Sequence, residues 1–126
     1  MPTLERLRER YFQSVREKLE ALELWLQSAQ REAERAEALR ELLRTFHSLA
    51  GSGATYGFPQ ISQAGRRGED YVKECIDTGG ALPPHALRRV ATYVEGLEAA
   101  FADAVSTHEG GGIAAPPPLP APENGS

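Results

Sequence analysis

The sequence predicts an all-α protein folded as an antiparallel, up-down four-helix bundle. Three observations lead there. Apolar residues recur at three- and four-residue steps through successive segments, the period of a helix with one buried face. No segment alternates apolar and polar residues as a half-buried strand does. The breaks are short and rich in Gly, Pro and Thr, so each long helix must fold back along the one before it.

The first helix is expected from about Thr3 to Ser28. Thr3 can cap it, and Leu4, Leu7, Tyr11, Val15, Leu19, Leu22 and Leu26 form its stripe. Leu24 and Trp25 lie off that stripe, either covering the bundle end or marking a partner patch. The charged run from Gln30 to Glu37 reads as a solvated connection and helix start. The second helix is expected from Glu32 to Tyr56, with Leu39, Leu42, Leu43, Phe46, Leu49, Ala50 and Gly53 on one face; Gly57 ends it, tolerating positive φ. Pro59 opens the third helix at a position where its missing N–H costs nothing. Ile61, Ala64, Tyr71, Val72 and Cys75 follow, and Thr78-Gly79-Gly80 stops it. The fourth begins at Pro83-Pro84, carries Leu87, Val90, Ala91, Val94, Leu97, Phe101 and Val105, and should fray near His108. Residues 1–108 therefore read as the folded unit, and residues 109–126, with their Gly and Pro runs, as a linker or tail.

Composition narrows the function. The 126 residues carry 14 Lys+Arg against 18 Asp+Glu, a net charge of -4, which leaves no whole-protein footprint for nucleic acid. A single cysteine, Cys75, excludes an internal disulfide and a multi-thiolate zinc cluster, and suits a reducing, cytoplasmic setting. No apolar run is long enough to span a bilayer. Mixed charges at the N-terminus do not fit a secretory signal.

The informative stretch runs from Arg44 to Phe58. On a helical wheel centred on Phe46, His47 lies about 100° away, at the solvent flank of the apolar stripe. Gly51 lies one turn on, on the same side, and Arg44 and Arg40 sit one and two turns before. An exposed imidazole is a good nucleophile near neutral pH. Glycine costs a helix about 1 kcal/mol against alanine, so Gly51, on neither the buried face nor the helix end, needs a reason. Bare backbone there lets another macromolecule bring a reactive group down onto His47. Gly53, on the buried face, suits close helix approach.

The run His47-Ser48-Leu49-Ala50-Gly51-Ser52, followed by Gly57-Phe58, resembles the signature of histidine-containing phosphotransfer (HPt) domains, a His-x-x-Lys-Gly core followed by small residues. Ile61, Ala64 and Glu69 fall where that family places a Leu, an Ala and a Glu. The resemblance spans about Leu4 to Val105, and the motif is also similar to N-terminal HPt modules that precede receiver and diguanylate cyclase domains. It implies a monomeric helical bundle in a two-component phosphorelay. The acceptor His47 would take a phosphoryl group on Nε2 from the phospho-aspartate of a response-regulator receiver, in trans or in the same longer protein, or pass it back. Gly51 would be the clearance residue, and Arg40, Arg44, Gly51 and Ala50 would form the contact with the phosphoryl group and the receiver. Mg²⁺ would belong to the receiver, and this chain would need no cofactor, metal, nucleic acid or membrane of its own. It would be a phosphoryl carrier rather than a stand-alone catalyst.

Two positions depart from that pattern. The family's Lys is Ala50 here, and Arg44 is expected to supply the missing charge from the preceding turn, with Arg66, Arg67 and Lys73 as second-rank candidates. Gly68 replaces a bulky apolar residue and is expected to loosen the third helix. Alternative readings keep the bundle but change its use: direct phosphorylation of His47 by a sensor kinase, or a docking module that has lost transfer, which Ala50 favours. A dimeric kinase hairpin fits less well, because four helices are already present. His85 and His108 read as structural or neutral, and Cys75 as core. The glycines from Gly51 to Gly57 have neither the spacing nor the preceding strand of a nucleotide loop.

Overall fold

The computed structural model describes residues 3–79 and 82–112, with side chains to residue 108. Four helices follow in order: α1 (Leu4–Ala29), α2 (Glu32–Tyr56), α3 (Pro59–Asp77) and α4 (Ala86–Gly112). Each packs on the helices before and after it, and α1 closes on α4, while the diagonal pairs α1–α3 and α2–α4 do not meet. This is the up-down bundle that the four stripes and short breaks predict.

Local chemistry sets the corners. The Thr3 hydroxyl accepts from the Arg6 N–H at 3.1 Å and caps α1. Gly57 ends α2 at φ 84°, the left-handed conformation, and the Phe58 N–H then donates to the Gly53 carbonyl at 2.7 Å. Pro59 opens α3 immediately afterwards. The Tyr11 ring stacks on Tyr56 and Phe58, with centroids 4.4 and 5.5 Å away, so α1 buttresses this corner.

Phe46, Leu22, Leu42, Leu49, Ile61, Leu97, Val15, Val72, Val90 and Val94 are fully buried and form the core. The stripes place most of it, with four differences. Leu4 and Leu7 are exposed, because the first turns of α1 project past the packed core. Phe12, off the predicted stripe, is buried between Phe58 and the edge of Phe101. Tyr71 is only half-buried, against Tyr93, with the Arg89 guanidinium 4.8 Å over its ring. Finally, α4 does not stop near His108 but continues to Gly112, so the expected boundary at residue 109 falls inside the helix. Extending an existing helix adds one hydrogen bond per residue fixed, so glycine slows propagation without requiring a stop. Residues 113–126, where most of the expected linker falls, lie outside the described residues. Trp25 packs partly buried against the core while Leu24 is exposed, which favours the bundle-covering reading of that pair.

Candidate functional site

The closest helix pair is α2 with α3, and glycines make it so. A Cβ on Gly53 would stand 2.6 Å from the backbone N of Ser62. One on Gly65 would stand 2.8 Å from the backbone N of Ala50. One on Gly68 would overlap the Phe46 ring. Gly68 therefore does not loosen α3: it is the notch that receives Phe46, and a bulky residue there would push the helices apart. The Ser62 hydroxyl, buried in this seam, donates to the Ala50 carbonyl at 2.8 Å. Small residues on both helices thus bring two backbones together, and the side chains at the rim of the seam meet.

The pair at that rim is His47 and Glu69. His47 follows Phe46 directly, so the anchored phenyl ring fixes the backbone that carries the imidazole. His47 Nδ1 lies 2.7 Å from Glu69 Oε2. A carboxylate only accepts, so Nδ1 carries the proton and donates it, which leaves the lone pair on Nε2. The His47 side chain is 75% exposed and that of Glu69 22%, so the carboxylate sits at the base and the ring stands out from it. The site thus presents an oriented imidazole with its nucleophilic nitrogen towards solvent. A Cβ added at Gly51 would meet nothing within 4 Å. Packing gives no reason for glycine there, as the clearance reading requires.

The remaining predicted residues divide. Arg44 is exposed, and its guanidinium leans back one turn to Glu41 at 4.0 Å, away from His47. Arg40 is exposed one turn further on. Ala50 is buried against Gly65 and presents no surface to a partner; its expected place in the contact set is corrected to the seam below it. Arg66 and Lys73 flank Glu69 on the exposed α2 side of α3, and Arg67 points to the far side. The His108 ring meets Phe58 edge-on at 5.0 Å and belongs to the aromatic corner. Glu69 is the residue beside His47 that sequence reasoning left without a partner. Its signal was present, a Glu at the family's Glu position, but its partner could not be known without the helix register.

Among the described residues no helix is long and apolar enough to cross a membrane, and no three His, Cys, Asp or Glu side chains gather as a metal site. No match was found among curated proteins or among solved structures. The family model of the Hpt domain matches residues 6–104, which runs from the first turn of α1 into α4 and includes the His47–Glu69 pair. The chain belongs to the Hpt domain family, whose role is histidine phosphotransfer in phosphorelays.

Proposed function

We propose that His47 is the phosphoacceptor, and that it exchanges a phosphoryl group with the aspartate of a receiver domain. The observation that carries this reading is the imidazole itself: exposed, tied at Nδ1 to Glu69 at 2.7 Å, and bare of side chain one turn away at Gly51. The Nε2 lone pair attacks the phosphorus of the partner's acyl phosphate. The P–O bond breaks, the aspartate carboxylate leaves, and a P–N bond forms. The Nδ1 proton stays in place, so the phosphorylated ring is cationic, and the Glu69 carboxylate stabilises that charge in the transition state and the product. Reversal returns the group by the same path. Any Mg²⁺ would be held by the receiver and would supply charge there, and the chain works as a carrier, in trans or linked to its receiver.

The test is incubation of the full chain with a receiver phosphorylated on its aspartate. Acid-labile, base-stable label should appear on the wild type and be absent from His47→Gln. Label that persists in His47→Gln, or a wild type that stays unlabelled by both a receiver and a kinase, would leave the docking reading in its place. Label from a kinase alone would move the donor and keep the acceptor.

A further inference from the structure

A phosphoryl group on Nε2 adds negative charge at the outer edge of the ring, while the Glu69 carboxylate bonds the opposite nitrogen, Nδ1, and takes up the ring's own positive charge. With the ring's charge paired to Glu69, a cation for the phosphoryl oxygens has to come from another side chain, and Ala50, which stands where the family pattern has Lys, is uncharged and buried. The seam shows where one can come from. The helices α2 and α3 run antiparallel, and four contacts set their register: Gly53 against Ser62, Ala50 against Gly65, His47 against Glu69, and Phe46 against Gly68. Each step along α2 matches one step back along α3.

Side chains on a helix tilt towards its N-terminus, so the surface over a residue is covered from one turn C-terminal to it. On α2 the residues in that position over His47 are Ala50, which is buried, and Gly51, which has no side chain. On α3 the residue in that position over Glu69 is Lys73. It lies about 40° round the helix from Glu69, on the exposed flank beside α2. Glu followed by Lys four residues on is also the favourable order for such a pair. Because the helices are antiparallel, the His47 ring tilts down α2 as the Lys73 chain tilts up beside it, and the two converge. Arg44 and Arg66 each sit one turn N-terminal and tilt away; the lean of Arg44 onto Glu41 at 4.0 Å shows that direction. Lys73 is exposed and enters no ion pair among the described residues, so its ammonium is free to move.

We infer that Lys73, reaching across from α3, is the cation that contacts the phosphoryl group on His47, the task expected of Arg44 from the sequence. This rests on the phosphoacceptor reading of His47. The ammonium balances the charge of the transferring group.

The experiment uses the full chain and the small donor phosphoramidate, whose P–N bond breaks with loss of ammonia as the bond to Nε2 forms. The labelling rate and the ³¹P pH titration of the bound phosphoryl group are both read. Lys73→Gln should slow labelling about fivefold at low salt, the scale of one exposed ion pair. It should raise the pKa of the phosphoryl group by about half a unit, a shift that a purely structural residue would not cause. Lys73→Arg should restore both, Arg67→Gln should match the wild type, and high salt should erase the difference. A Lys73→Gln protein that titrates and labels as Arg67→Gln does, or the same losses appearing in Arg44→Gln instead, would overturn the inference and keep the phosphoacceptor. A wild type that phosphoramidate does not label on His47 would overturn both.

Discussion

The two seams that flank α1–α2 and α3–α4 are built on opposite terms. Between α2 and α3, Gly53, Gly65 and Gly68 let backbone approach backbone, and the result is an oriented His47–Glu69 pair. Between α1 and α4 the packing is thinnest. Aromatic bulk holds one end, where Phe12 meets the edge of Phe101 at 5.5 Å and Arg16 lies 5.4 Å over the same ring. Further along, Glu98 lies beside Glu23, with Glu95 nearby; burial first, then the Glu23 carboxyl and the two neighbouring charges push its carboxyl up to about 7. The difference teaches where the fold is specified for chemistry. The tight seam holds the His47–Glu69 pair in register, and the loose one tolerates a like-charge contact.

The contrast breaks most sharply at Gly65. A Gly65→Val side chain meets the backbone N of Ala50 and carbonyl of Phe46, neither of which can turn aside. Urea denaturation should show a loss of about 3 kcal/mol, the upper range for overpacking, with transfer lost alongside. An unchanged midpoint would mean the seam is not close-packed. Gly51→Leu tests the open side instead. There is room for the side chain, so stability should hold or rise, while transfer from a phosphorylated receiver falls about tenfold or more. Labelling by phosphoramidate should change far less, since a small donor needs no clearance.

Glu69→Gln removes the charge but keeps an acceptor for the Nδ1 proton. Loss of one charge-assisted bond should slow transfer about tenfold, with stability altered by less than about 1 kcal/mol. An equal loss in stability and rate would make Glu69 a structural residue. The smallest effect is expected at Glu98. Its folded pKa of about 7 lies above the usual carboxyl value of 4.5. The ionised form is therefore disfavoured in the bundle. The stability linked to Glu98 is fully present below about 4.5 and is lost as pH rises through about 7. Thermal unfolding of Glu98→Gln should show a flatter profile than the wild type across that window, with the two converging at its acid end. Parallel profiles would remove the like-charge contact from the α1–α4 seam.

The helices were legible because their apolar periods are long and their ends are punctuated by Thr3, Gly57 and Pro59. His47 and Gly51 were legible because each breaks a local rule without a packing reason. What the sequence did not disclose depends on register between helices. The Phe46–Gly68 fit, the burial of Ala50 and the His47–Glu69 contact are relations between residues on different helices, and no single-helix wheel contains them. Arg44 leans onto Glu41 rather than towards His47 for a related reason. Spacing of one turn places it on the adjoining surface, but the tilt of side chains along a helix decides which neighbour it reaches.

The bond from Glu69 to Nδ1 has a consequence for recognition. On the role proposed for His47, a ring held at Nδ1 offers phosphorus one favoured line of approach, and that line is set before any visitor arrives. Alignment is thus a property of the carrier, and the surrounding handshake can be brief and weak without spoiling it. A molecule that must surrender its cargo as readily as it accepts it is well served by holding the aim in its own frame and leaving the grip loose.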